Sequence, residues 1–582
     1  MKNIKEDEYL FKLNHSCAHL MAQAVKQIYP NAKFWVGPVI ESGFYYDMDL
    51  GDVTITEDDL DNISKVMKKL AKDGKRIIRQ EITKEEALEK FKDDPYKIDL
   101  IEGFDDNEVI STYSQGDFTD LCRGPHVDTV KECKNFKLLK FSGAYYKGDS
   151  KNKVLQRIYG VCLKTPEELD EYLQELEDAK ERDHRKLGKE LGIYMLDPLV
   201  GSGLPMWLPN GFIVRRLLSD YIMDKEIKLG YKHVKTPCLG NVELYKTSGH
   251  WNHYKDDMFP KMELDNEAYV LRPMNCPHHM VMYKSFLHSY RDLPVRIAEI
   301  ADDFRYEAAG ALTGIERTRN FAQNDSHIFC TKEQLKDEIK GVIKLILDVY
   351  KDFDFKDYRF RLSLRDPDNV EKYFGNDDLW EKSETALREV LNEENVNYYE
   401  AIGEAAFYGP KIDVQVKSAI GHDVTLSTVQ VDYQLPERFE LEYINNNGEK
   451  ERPIVVHRAI LGSLDRFIAF LLEETKGVLP LWLAPVSINI LPVNVEYHGE
   501  YAKSVYDKLK DLYRVSLDDR NEKLGYRMRE SVLKKIPINI ILGQNEVDNK
   551  LISYREFGKE ETHTVTYEEF IFYVNDRINK RI

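Results

Sequence analysis

VRIAEIADDFRYE (residues 295–307) and, after a short polar turn, RNFAQNDSHIFC (319–330) decide the fold. Both stretches alternate polar with apolar residues and carry β-branched and aromatic side chains, so they are expected as two long neighbouring strands. The same reading holds for YVLRPMN (269–275), YRFRLSLR (358–365), KIDVQVKSA (411–419) and HDVTLSTVQVDYQL (422–435). So many strands at hairpin-like spacing, interleaved with longer helices, predict a large antiparallel sheet beyond Gly201.

Working outward, the chain has 582 residues, 42% of them hydrophobic, enough for several cores and roughly three or four domains. Seven cysteines (17, 122, 133, 162, 238, 276 and 330) form an odd, scattered set, and the charged opening MKNIKEDEYL lacks a signal peptide's apolar core. Reduced thiols and a cytoplasmic location are therefore expected. No apolar run reaches the ~20 residues that cross a bilayer. A formal charge of −18 opposes field-driven attraction to nucleic acid, so any RNA must be held by local basic patches. KKLAKDGKRIIR (68–79) and AKERDHRKLGKEL (179–191) are two such patches, or simply solvated helix faces.

Residues 8–29 read as a helix closed by Pro30, with His15 and His19 on one face. Residues 34–163 mix short strands and turns with a helix near 58–72. TPEELDEYLQELEDAKERDHRKLGKEL (165–191) reads as a linking helix with a Thr cap and an early proline. From 484 the order VSINIL, helix 499–512, RVSLD, helix 523–534, IPINIILG is a βαβ pattern.

Three stretches taken together resemble the class II aminoacyl-tRNA synthetases. They are LPNGFIVRRLLSDYIMDKEIKLGYKHVKTP (208–237), FRYE (304–307) with TRNFAQNDSH behind it, and HRAILGSLDRF (457–467), which look like motifs 1, 2 and 3 in order. RPMNCP (272–277) and HRAILGS are similar to the threonyl-tRNA synthetases in particular, and the resemblance runs from HSCAHLM at 15 to the C-terminal part. It implies an α+β multidomain fold: an N-terminal α+β editing domain (1–164), a linker helix (165–195), a class II synthetase antiparallel-sheet core (196–484) and a C-terminal α/β anticodon-binding domain (485–582). It also implies threonine–tRNA ligation with ATP, editing of Ser-tRNA(Thr), and a homodimer formed through motif 1.

Cys276 sits before two histidines without a second cysteine close enough for a local zinc knuckle. The resemblance gives it a role, with Cys276, His327 and His457 as three protein ligands of one Zn2+ per subunit. Three ligands leave a position open for substrate. That position would test for the threonine hydroxyl, which an apolar pocket separates from valine's methyl by only about a hundredfold. Serine keeps the hydroxyl, so a separate editing site is expected.

HSCAH (His15, His19) and DLCRGPH (Asp120, Cys122, His126) have spacings that fit a second zinc. The resemblance implies instead hydrolysis by general acid/base chemistry without a metal, Lys97 and Asp120 helping to place ester and water. For ATP, used with Mg2+, it implies Arg305 at the α-phosphate, Glu307 at the adenine amino group, Phe321 and Arg466 on the two ring faces, and Arg317 at the γ-phosphate. Met274, Gln323, Asp325, Tyr408, Lys411, Gln430 and Ser463 match positions around threonine, Gln430 also touching nucleotide. His250, in SGHW, matches a histidine that helps deprotonate the tRNA 3′ ribose, an exposed loop histidine being the equal alternative. Asn521, Glu546 and Arg555 match readers of anticodon bases.

The chain departs from the family pattern in places. Only about a dozen residues precede HSCAH, so the family's small ubiquitin-like domain is expected to be absent. Thr313, Ala322, Asn324 and His278 replace usual residues, Ala322 and Asn324 being expected as neighbours of the threonine site. All motif arginines and zinc ligands are present, which weighs against a non-catalytic RNA-binding relative and against a protein kept only for editing.

Overall fold

A computed structural model describes residues 3–105, 108–149, 151–369, 372–373, 377–418 and 423–582. Two ends of expected strands, Ala419 and His422, lie outside the described residues. The chain divides into two compact units, Met1–Asp178 and Ala179–Ile582.

In the first unit, helix Glu8–Ile28 starts where the Asp7 carboxylate accepts from the amides of Tyr9 and Leu10, as an N-cap does. It buries Leu13, Cys17, Leu20, Met21 and Val25 against the strands Gly43–Asp49 and Val154–Cys162. Each fully buried aliphatic side chain contributes about 1.5–3 kcal/mol. Helix Glu57–Asp73 packs into the same core and ends at Gly74, whose φ of 62° is the left-handed cap. A second, antiparallel sheet of Ile77–Ile82, Ile110–Gln115 and Phe118–Leu121 carries Asp120 on its last strand.

The single linking helix expected over 165–191 is two helices, Pro166–Arg182 and His184–Glu190. Asp183 breaks the run because its carboxylate turns back to cap Arg185 N, an interaction that competes with continued helix.

The second unit is built on eight strands among the described residues: β1 (Lys232–His233), β2 (Val295–Phe304), β3 (Asn320–Cys330), β4 (Tyr358–Leu364), β5 (Tyr398–Ile402), β6 (Lys411–Lys417), β7 (Asp423–Asp432) and β8 (Ile454–Ser463). Their order is β1-β2-β3-β8-β7-β6-β4-β5. The expected large antiparallel sheet is there, with parallel pairs only at its two edges, β1 with β2 and β4 with β5. YVLRPMN does not join it; Glu267–Leu271 pairs instead in a separate sheet with Leu239–Asn241 and Met262–Leu264. Helices Leu335–Asp352 and Leu464–Glu474 bury Ile339, Ile343, Ile346, Phe467 and Leu471 in the core of this unit. The opposite face is thereby left for polar residues. Beyond it, Ile488–Pro492, Val515–Leu517 and Ile538–Leu542 pair in parallel, as the βαβ pattern predicts, and Ile552–Glu556 adds antiparallel.

Candidate active sites

His327 on β3 stands opposite His457 on β8, His457 opposite Gln430 on β7, and Gln430 opposite Lys411 on β6. Opposed residues of antiparallel strands share a face, so side chains far apart in sequence become one row. His457, Gln430 and Lys411 border a cavity of about 830 Å³ that Met274, Cys276, Gln323, Asp325, Tyr408 and Ser463 also line. Cys276 comes from the first turn of helix Cys276–Lys284.

The donor atoms of Cys276, His327 and His457 lie within 4.8 Å of one another, and all three residues are buried. His457 Nε2 is 2.9 Å from Asp432 Oδ2, which leaves Nδ1 as its other ring nitrogen. His327 Nδ1 is 2.8 Å from His279 Nδ1, while His327 Nε2 is buried without a hydrogen-bond partner. Leaving such an atom unmatched is costly. One thiol and two imidazoles suit a borderline-soft divalent cation, and three ligands leave room for a substrate atom. Burial pushes the Cys276 thiol well above the usual thiol range, so a bound cation would have to displace its proton.

Three guanidinium groups, Arg305, Arg317 and Arg466, line the same cavity. Burial, with Arg305 and Arg317 nearby, lowers the Arg466 pKa, the mark of positive charge gathered where an anion can neutralise it. Arg305 lies 5.0 Å over the Phe321 ring. Arg317 Nε donates to the Glu307 carboxylate at 2.8 Å, so the two side chains expected at opposite ends of ATP are paired here. Arg319 is different in kind: its guanidinium donates to the Glu307 carbonyl and to Ser202 O, and so holds backbone. Gly462 must be glycine, because its φ is +58° and a Cβ would sit 2.4 Å from Leu426 O.

Around the row, Tyr408 Oη donates to Gln430 Oε1 at 2.9 Å and Lys411 Nζ lies 2.9 Å from Asp413 Oδ2. Ser463 accepts from Arg466 N at the start of the last motif's helix. Burial raises the Asp325 carboxyl above its ordinary value. Two expectations need correction. Ala322 and Asn324 do not neighbour this site, because strand alternation turns them away from Gln323 and Asp325. Ala322 joins the hydrophobic core, and Asn324 donates to Glu226 at 2.9 Å while accepting from Ile460 N and Leu461 N. There the register of β3 and β8 shifts between Gln323 and Asp325. His250 is no exposed loop residue either. It is fully buried, Nδ1 lies 2.8 Å from Ser248 Oγ, Nε2 has no partner, and burial takes its pKa down to about 3.

In the first unit, His15, His19, Cys122 and His126 bring their donor atoms within 4.8 Å of one another. Cys122 Sγ is 3.1 Å from His15 Nε2 and 3.2 Å from His126 Nε2, and the outer nitrogens are tied to Pro125 O and Ser16 Oγ. Lys97 and Asp120, 3% and 2% exposed, are paired at 2.6 Å, and Asp120 also accepts from Tyr46 Oη. Burial lowers the pKa of His15, His19 and His126 and raises Cys122 to about 12. Near neutral pH the rings are uncharged bases beside a thiol rather than a thiolate.

Of the three residues matched to base reading, Glu546 is already engaged, its carboxylate accepting from Gly543 N, Asn545 Nδ2 and Ser553 Oγ. Arg555, on strand Ile552–Glu556, and Asn521 are exposed.

Sequence reasoning missed His279, Glu299, Asp432 and Tyr46, which support the sites through hydrogen bonds. Only HH in RPMNCPHHM hinted at the first; nothing in local spacing marks the others.

Three family profiles match in the order of these parts. Residues 110–159 match the threonyl and alanyl tRNA synthetase second additional domain, 260–475 the tRNA synthetase class II core domain (G, H, P, S and T), and 484–577 the anticodon binding domain. The threonine–tRNA ligases of Staphylococcus carnosus and Staphylococcus epidermidis are each 54% identical over 574 residues, 98% of this chain and 89% of theirs. A crystal structure of the RNA binding domain of threonyl-tRNA synthetase from Cryptosporidium parvum matches with a TM-score of 0.65 at 34% identity, over 68% of this chain and 98% of that one. With relatives this similar along almost its entire length, and a cavity that joins the motif arginines to the Cys276–His327–His457 donor set, the chain belongs to the threonine–tRNA ligase family.

Proposed function

We propose that this chain activates threonine with ATP, transfers it to tRNA(Thr), and hydrolyses Ser-tRNA(Thr) at the His15, His19, Cys122 and His126 cluster. One observation carries the reading: a single cavity lined by Arg305, Arg317, Arg466, Cys276 and His457, with His327 completing the donor set. Cys276, His327 and His457 would hold Zn2+, which when bound supplies an open coordination position for an amino-acid hydroxyl and amine.

Arg305 meets the negative charge that builds on the α-phosphate, and Arg317, released from Glu307, reaches the outer phosphates of the Mg2+–ATP complex. The freed Glu307 accepts from the adenine amino group, and Phe321 and Arg466 cover its ring. Asp325, Gln323, Tyr408, Lys411, Gln430, Met274 and Ser463 surround threonine. His250, held neutral by burial with an unpartnered Nε2, can take the proton of the 3′ ribose hydroxyl.

In editing, one of the neutral rings of His15, His19 and His126 accepts the proton of the attacking water and returns it to the departing ribose oxygen as the seryl ester bond breaks, while the Lys97–Asp120 pair fixes the neighbouring wall. Asn521, Glu546 and Arg555 read the anticodon. The domain limits 1–164, 165–195, 196–484 and 485–582, a homodimer and a cytoplasmic location belong to the same reading. Among the described residues no helix is long and apolar enough to cross a membrane.

Threonine-dependent ATP–pyrophosphate exchange, abolished by a chelator, is the direct test. Failure to exchange with any amino acid would end the proposal.

A further inference from the structure

His279 is fully buried directly behind the candidate metal ligands and has no part in the roles assigned above. Its Nδ1 lies 2.8 Å from His327 Nδ1, and its Nε2 lies 3.3 Å from Glu299 Oε2. Glu299, on β2, is equally buried and surrounded by donors. Its Oε1 accepts from Thr236 N at 3.0 Å and Arg272 Nη2 at 3.4 Å; its Oε2 accepts from Thr236 Oγ1 at 2.8 Å and Asn275 Nδ2 at 3.4 Å.

A carboxylate in such a cage accepts only, so the hydrogen between Glu299 and His279 belongs to His279 Nε2. With its hydrogen on Nε2, His279 turns the lone pair of Nδ1 toward His327 Nδ1. The hydrogen between the two rings therefore belongs to His327 Nδ1, and the lone pair of His327 is left at Nε2, the nitrogen buried without a hydrogen-bond partner and 3.8 Å from Asp325 Oδ2. Asp432 does the same for His457 in one step, with 2.9 Å between Oδ2 and Nε2. For His327 the carboxylate acts through an intervening imidazole.

The geometry points to Glu299 and His279 as positioning residues that fix the tautomer and ring orientation of His327, so that an unprotonated Nε2 joins Cys276 and His457 as a ligand for a divalent transition metal. The inference rests on reading those three residues as a metal centre. Hydrogen-bond partners of this kind set the affinity of metal-binding histidines elsewhere by about 10- to 100-fold.

Glu299→Gln should reverse the relay. A glutamine NH2 at the Oε1 position would meet Thr236 N and Arg272, which can only donate. At the Oε2 position it would meet the Thr236 hydroxyl at 2.8 Å and His279 Nε2 at 3.3 Å, both of which can accept, against one donor, Asn275 Nδ2, at 3.4 Å. Glutamine therefore settles with its NH2 toward His279, which must then donate from Nδ1. That puts the hydrogen of His327 on Nε2, where the metal should bind.

The test is zinc affinity of the full-length protein by competition with a chromogenic chelator, with the visible absorption of the cobalt-loaded form as a second readout. Glu299→Gln and His279→Leu are each expected to weaken zinc by about 10- to 100-fold and to alter the cobalt bands. His279→Asn, whose amide oxygen can take the place of Nδ1 as acceptor, is expected to stay within a few-fold of wild type. A merely structural role would make both His279 variants fall together. Melting temperatures check folding, and Glu299→Gln carries the test if His279→Leu does not fold. Zinc bound as tightly by Glu299→Gln as by wild type, or equal loss in His279→Asn and His279→Leu, overturns the relay alone. Wild-type protein that binds no zinc overturns the metal centre and the relay with it.

Discussion

Asn324 donates to Glu226 at 2.9 Å on the side of the sheet away from the cavity, and the same glutamate oxygen lies 2.6 Å from Arg458 Nη1. Helix Pro209–Lys228 thus supplies, from Glu226, the negative charge that balances a buried guanidinium in β8. Asn324 also bridges the register shift by accepting from two successive amides of β8. The spacing of Gln323 and Asp325 across from Ser463 and Ala459 depends on this bridge.

Glu226→Gln should therefore destabilise the second unit by about 3–5 kcal/mol, since it strands the Arg458 charge in the interior. Adding Asn324→Asp returns a carboxylate to the same neighbourhood and should recover part of the loss. Urea denaturation of the single and double variants measures both, and an unchanged midpoint in Glu226→Gln would contradict the arrangement.

Cys276→Ala should take the zinc content from about one per chain to none and lower threonine-dependent exchange by at least ~10²-fold. His19→Ala should leave the zinc content at about one while slowing Ser-tRNA(Thr) hydrolysis by ~10²- to 10⁴-fold. Elemental analysis beside the two activity assays separates the sites, and loss of zinc in His19→Ala would mean that the N-terminal cluster binds metal.

Arg305→Ala should reduce kcat for pyrophosphate exchange by about 10²- to 10³-fold, the scale seen when one donor to developing charge is removed. Steady-state kinetics with saturating ATP and threonine reads this. A change in KM for ATP alone would confine Arg305 to ground-state binding.

Burial lowers the pKa of His15, His19 and His126 below the ordinary 6.5. Unfolded imidazoles then take up protons that the folded rings refuse. Stability from this cluster is full above pH 6.5 and falls as the pH drops below it toward the folded values. Melting temperature followed from about pH 8 to about pH 5 should decline in the acid range, more steeply than in a His15→Phe/His126→Phe variant that keeps the rings apolar.

Strands β2, β3, β4, β6 and β7 were legible because each alternates and carries β-branched or aromatic residues, and the first helix because Pro30 and the apolar spacing bound it. The motif residues Arg305, Phe321 and Arg466 could be found because they lie inside recognisable strings. What stayed hidden depends on pairing register, which no single segment encodes. Glu299 became a partner of the metal-side histidines only once β2 was set against β3 and helix Cys276–Lys284 was laid over both. Asn324 misled because its neighbours Gln323 and Asp325 do face the cavity, and proximity in sequence was taken for proximity in space. Asp183 misled because one side chain competing for backbone amides can interrupt a long charged helix whose pattern is otherwise continuous.

The floor of the cavity is spaced by backbone pairing, and its pattern is counted in twos. Inserting one residue between Asn320 and Asp325 would carry Gln323 to the buried side and break the match to β8 in one event. The connections 331–334 and 353–357, on either side of helix Leu335–Asp352, lie outside the paired strands. Natural variation that lengthens those connections can leave amino-acid choice untouched, while a frame slip within β3 would erase it.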